Sequence, residues 1–144
     1  MLWRFVTADP RNAMQPSTMT AIAIRDGKGE ADALHPVDLP MPVPAEGQVL
    51  IRVRAAGVNR PDIVQRLGSY PPPPGAPETL GLEGAGEIVH GAGRWRPGDR
   101  VCALLGGGGY ATHALADARH VLPIPDGLDW VHAAALPETV FTVY

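Results

Sequence analysis

The sequence predicts a mainly β fold, with strands spaced as a small barrel requires and a few short helices. Glycine and proline are both abundant, 17 and 16 of 144 residues, which favours short strands joined by tight turns. The helical period of apolar residues appears only in brief stretches. The candidate strands also follow one another at intervals that suit a small barrel. With 45% apolar and 19% charged residues the chain fits one folded domain with a real core.

Residues 1–18 read as an extension ahead of a start at Met14 or Met19, because the apolar patches around Arg4 are too short for the core of a secretory signal. A first strand is expected over Thr20 to Ile24, then a polar turn from Asp26 to Glu30, then an extended stretch near Leu34 to Leu39. Pro40-Met41-Pro42-Val43-Pro44 is a connector, since proline has no amide to give to a ladder. Val49 to Val58 alternates best, with Val49, Ile51, Val53 and Ala55 on one face and Leu50, Arg52 and Arg54 on the other.

Asn59 followed two residues later by Pro61 has the form of a helix N-cap and first turn. The helix runs through Leu67 with Ile63 and Leu67 on its buried face, and Gly68 stops it. Pro71 to Pro74 form a stiff polyproline stretch that holds Tyr70 at the mouth of a loop. Further strands are expected at Gly84 to His90, Arg100 to Leu105, Tyr110 to Ala116 and His120 to Ile124. From Asp129 and Trp130 the pattern turns to an alanine-rich helix, broken at Pro137 and restarted at Glu138. The segment reaching Tyr144 stops inside an apolar helical pattern without a cap, as a cut chain would.

Several functions are excluded at this level. A net charge of −3 with scattered basic residues offers no phosphate-tracking stripe, so nucleic acid is not an expected partner. No run of about 18 apolar residues occurs, so no membrane span is expected and the protein is taken as soluble and cytoplasmic. The single cysteine, Cys102, excludes an internal disulfide and sits in the apolar run Val101 to Leu105 as a packed thiol. Gly84-Ala85-Gly86 and Gly106 to Gly109 both lead into strand-like residues, whereas a phosphate-binding glycine turn must open a helix. His35, His90, His113, His120 and His132 show no zinc-ligand spacing, and no serine lies in a Gly-x-Ser-x-Gly elbow.

An ordered set of motifs carries a resemblance. Val58-Asn59-Arg60-Pro61-Asp62, Gln65-Arg66-Leu67-Gly68-Ser69-Tyr70-Pro71-Pro72-Pro73, Gly81-Leu82-Glu83-Gly84-Ala85-Gly86 and Pro97-Gly98-Asp99-Arg100-Val101 resemble the zinc-independent quinone oxidoreductases of the medium-chain dehydrogenase/reductase superfamily. Leu104 to Ala111 and Ala133 to Glu138 continue it, so that it spans about Met19 to Tyr144. The resemblance implies a GroES-like, partly open β-barrel with short helices, the catalytic domain, over residues 19–136. Residues 137–144 would then begin a linker helix into a nucleotide-binding domain that lies beyond this sequence. Zinc-dependent relatives have a cysteine at Asn59 and a histidine at Leu82, so two ligands are replaced, Glu83 remains, and no metal site is expected. Without a Lewis acid, alcohol oxidation is disfavoured, while a quinone accepts hydride once positioned beside the nicotinamide.

The site residues implied are Tyr70 and Asn59 as catalytic groups, with Asn59 and Thr142 on the cofactor side, and NADPH as cofactor. Each has a plainer reading: a helix cap for Asn59, packing on the prolines for Tyr70, and a bond back to a backbone carbonyl for Thr142. Some bacterial relatives have a second tyrosine at the position of Val64, which leaves Tyr70 as the sole aromatic hydroxyl carried over. Glu83 is expected to bond backbone amides or Arg66. The resemblance also implies a homo-oligomer for the complete protein. The alternative is a catalytically inactive, truncated GroES-like binding module that pairs with another chain.

Overall fold

The computed structural model describes residues 16–144, so the extension expected over 1–18 lies largely outside them. Strands β1 (Thr18–Ile24) and β2 (Leu34–Pro40) form an antiparallel pair in which Thr18 faces Pro40 and Ile24 faces Leu34. Between them the chain turns through Asp26 and Gly27, both in the left-handed region that short polar residues and glycine tolerate.

A second sheet is built from β3 (Gln48–Ala56), β4 (Glu83–His90), β5 (Arg100–Leu104), β6 (His113–Asp117) and β7 (Val121–Pro123). Its order is β6-β3-β4-β5-β7 and every neighbouring pair is antiparallel. Alternation in β3 holds for exposed Arg52 and Arg54, but Leu50 is buried together with Val49 and Ile51. Register shifts against β4 between Leu50 and Ile51, and again between Val53 and Ala55, coincide with this break. Such irregularities increase local twist and bend the strand, which curls the sheet into a half-barrel.

Inside the curl, Val49, Ile51, Ile88, Val101, Ala114 and Val121 pack as one core, closed by Trp95, whose indole N–H donates to the Ala118 carbonyl at 2.9 Å. Cys102 is buried with Ala85 in a second cluster, and burial pushes its thiol upward, as expected of a packed cysteine.

The helix following β3, α1 (Arg60–Arg66), ends as predicted: Gly68 takes a positive φ of 81° and its N–H donates to Gln65 O at 2.8 Å. Its buried face differs from the prediction. Ile63 and Leu67 are 38% and 43% exposed, and the buried residue is Asp62. The helix is barely two turns long, and the polar partners of Asp62 decide which side turns inward. The proline stretch also bends, because Pro74 and Gly75 form a turn closed by Ala76 N–H to Pro73 O at 3.0 Å.

The strand expected from Tyr110 begins only at His113. Before it, Tyr110 O accepts from Ile22 N–H and Thr112 N–H donates to Thr20 O, while Thr112 O accepts from Val53 N–H. That segment ties the two-stranded pair to the main sheet. At the C-terminal end, α2 (Trp130–Ala134) is capped by Asp129, which accepts from His132 N–H at 2.8 Å, and its Ala133 and Ala134 pack against Ala85 and Cys102. Short side chains on both surfaces allow this approach. After it comes α3 (Pro137–Val143). No helix among the described residues is long and apolar enough to cross a membrane.

Candidate active site

Two buried carboxylates, Asp62 at 2% exposure and Glu83 at 3%, lie where β3, α1, β4 and α3 meet. Asn59 occupies the N-cap position of α1 with extended backbone, which turns the chain from β3 into the helix. Its backbone N–H donates to Asp62 Oδ2 at 2.9 Å, one half of a capping box. Asp62 also accepts from Gly81 N–H at 3.0 Å and from the Tyr110 hydroxyl at 3.1 Å. Burial, followed by the charge of Asp62 and the bond to it, pushes the Tyr110 phenol far above its ordinary value, so it remains a donor.

The side chain of Asn59 points elsewhere. Its Nδ2 donates to Glu83 Oε1 at 2.9 Å, and Glu83 Oε2 accepts from the backbone N–H of Glu138 at 2.9 Å. Asn59 is therefore both a cap by position and a partner of the buried carboxylate. Glu83 meets a backbone amide, as expected, but not Arg66, whose Nε donates to Gly29 O at 3.1 Å and whose guanidinium pairs with Glu30. The Glu138 carboxyl is pushed up by burial and by the nearby charges of Glu83 and Asp62.

Tyr70, 48% exposed, stands on the rim of a cavity of about 640 Å³ between the β1–β2 pair, the proline loop and the start of β6. Its walls are chiefly apolar, from Ile24, Val37, Leu39, Pro72 and Leu115, with Gln65 and Thr79 among the few polar groups. Asn59 and Thr142 are not among its lining residues, and Thr142 is exposed on α3. The structure thus brings Asn59 to Glu83 and Tyr70 to the cavity, and does not gather the three predicted residues in one pocket. Asp62 and Tyr110 escaped the sequence reading. An acid three residues after the N-cap was the available signal for Asp62, whereas nothing local marks Tyr110.

This geometry agrees with a known family. The model for "Alcohol dehydrogenase GroES-like domain" matches residues 45–126. The chain belongs to that family. The GroES-like domain resembles quinone oxidoreductase from Lama guanicoe, 37% identical over 131 residues that cover 88% of this chain and 39% of that protein. Among solved structures, quinone oxidoreductase from Coxiella burnetii superposes with a TM-score of 0.73 at 28% identity, covering 83% of this chain and 41% of that one. The CurK enoyl reductase gives 0.76 at 25% identity, covering 88% and 41%. The chain spans less than half the length of each of these relatives. They are oxidoreductases of the medium-chain dehydrogenase/reductase superfamily.

Proposed function

We propose that these residues form the substrate side of an NADPH-dependent quinone oxidoreductase that transfers hydride to a quinone without zinc. The observation that carries the reading is the state of Glu83. Asn59 Nδ2 and Glu138 N–H each take one of its oxygens, and Leu82 beside it presents only hydrocarbon. A zinc ion needs several convergent anionic or imidazole donors, and this set does not fit one.

The described residues also hold no pyrophosphate cradle: Gly84 and Gly86 lie within β4, and Gly106 to Gly109 lead into the segment that joins the sheets rather than a helix. Asn59 and Thr142 are then the groups on this chain that would face the nicotinamide end. NADPH, when bound, would supply hydride and leave as NADP⁺, and the quinone would take that hydride and a proton from solvent to become the hydroquinone. Tyr70 orients the acceptor, its ring against the flat face and its hydroxyl donating to a carbonyl oxygen.

The test is NADPH oxidation by the full natural-length protein with a naphthoquinone, set against an enoyl thioester and an alcohol with NADP⁺. Quinone turnover reduced by both Tyr70→Phe and Asn59→Ala is expected, and unchanged kcat/KM in both would remove these residues from the site. Preferred enoyl turnover would instead favour the chemistry named for the CurK relative. A second, non-catalytic reading draws on exposed Val140, Phe141 and Val143, an apolar surface on α3 that could pair with another chain. Turnover of none of the three substrates would support it.

A further inference from the structure

One side chain joins elements that are distant in the chain. Glu83, at the start of β4, accepts from the Asn59 side-chain amide at 2.9 Å and from the Glu138 backbone N–H at 2.9 Å. The second donor belongs to the first turn of α3, where backbone N–H groups have no partner within the helix. The carboxylate thus caps α3 from another element, and its negative charge suits the positive end of the helix. Gly57 fits the same arrangement, since a Cβ there would collide with the Glu83 carboxylate. Bare backbone at 57 therefore admits the acid that Asn59 and Glu138 share.

We propose that Glu83 is a positioning residue: by accepting from both donors at once, it holds the Asn59 amide in a fixed relation to the first turn of α3. Because α3 also carries Thr142, Glu83 sets one frame for the two groups assigned above to the nicotinamide side, and in that respect it rests on that reading. The bridge itself does not. The polarity is specific, with two acceptors facing two donors. Glu83→Leu keeps the bulk of the side chain and removes both acceptors, whereas a lone Glu83→Gln could re-pair with Asn59 by a turn of the Asn59 amide. The double variant Glu83→Gln/Asn59→Asp instead restores the bridge with the first contact reversed, the amide at 83 donating to the carboxylate at 59 while its carbonyl oxygen accepts from Glu138.

The experiment is residue-resolved amide hydrogen exchange, read at Glu138 with Val101 in β5 as control. Glu83→Leu is expected to speed exchange at Glu138 about 10-fold, the scale of one lost hydrogen bond to a charged acceptor, with Val101 changed less than about 2-fold. The double variant should return Glu138 to within about 3-fold of the natural protein. Should Glu83→Leu fail to fold, Asn59→Ala reads the bridge from its other end and is expected to speed Glu138 about 5-fold. Unaltered exchange at Glu138 in either single variant, or a double variant no better than Glu83→Leu, would overturn the proposal. Turnover in the full-length protein separates the two claims. The expected exchange pattern without quinone reduction would leave the bridge standing and defeat only the functional reading, whereas quinone reduction with Glu138 unaltered would do the reverse.

Discussion

Replacing Asp62 by alanine should be among the most damaging changes available in this domain. Three donors converge on its carboxylate: the N–H groups of Asn59 and Gly81 and the hydroxyl of Tyr110. At 2% exposure little water can take its place. Hydrogen bonds to a charged acceptor contribute about 1.5–3 kcal/mol each, and they are not additive within a network, so a loss of about 3–5 kcal/mol is expected for Asp62→Ala. Tyr110→Phe removes one donor and leaves the carboxylate two, and should cost about 1–2 kcal/mol. The double variant should be little worse than Asp62→Ala, because both remove the same contact. Urea unfolding followed by tryptophan fluorescence measures all three midpoints. A loss below about 1 kcal/mol for Asp62→Ala, or equal losses for Asp62→Ala and Tyr110→Phe, would refute the argument that one buried acceptor fastens α1 to two loops.

Gly57→Ala drives a methyl group into the Glu83 carboxylate and should destabilise by about 2–3 kcal/mol, measured in the same unfolding assay. Trp95→Phe leaves the Ala118 carbonyl without its indole donor and opens space in the core, with an expected loss of about 2–3 kcal/mol. His113 is buried, and desolvation, with Arg52 adding, pulls its imidazole below the ordinary value. The unfolded state therefore binds the proton more readily, and stability from this residue is full above the ordinary histidine pKa of about 6.5 and falls as pH drops through it. Urea midpoints measured between pH 7.5 and pH 5 should fall less steeply in His113→Gln than in the natural protein, and identical slopes would contradict this.

What the sequence could reveal was mostly local. Alternation in β3, Asn59 with Pro61 at the start of α1, Gly68 at its end and Asp129 before α2 each depend on neighbours within a few positions. The last three appear where expected, and the alternation holds from Ile51 to Arg54. The errors arise where distant partners decide. Leu50 turns inward at a shift of register against β4, and Ile63 and Leu67 stay on the surface because Asp62 has partners at 81 and 110. Extended residues 110–112 are shared between the two sheets instead of starting β6, for the same reason. Of the candidate site, the resemblance pointed to Tyr70, Asn59 and Thr142 and left Glu83 as a structural carboxylate. Its division into an apolar cavity and a separate carboxylate centre requires three-dimensional contacts that no spacing encodes.

Strand β4 carries almost no bulk at its beginning. A methyl group on Gly86 would strike the Arg52 carbonyl, and one on Gly84 would crowd the Ala55 carbonyl at 3.2 Å. Variant libraries in this domain should leave the Gly86 codon fixed, hold position 84 to small residues and place their diversity on the rim around Tyr70, where half-exposed side chains can change size without moving a backbone. The hairless stretch of sheet also predicts a sharp contrast in a saturation scan read by folded yield, with near-total intolerance at 86, restriction to small residues at 84 and broad acceptance at 70, 72 and 79.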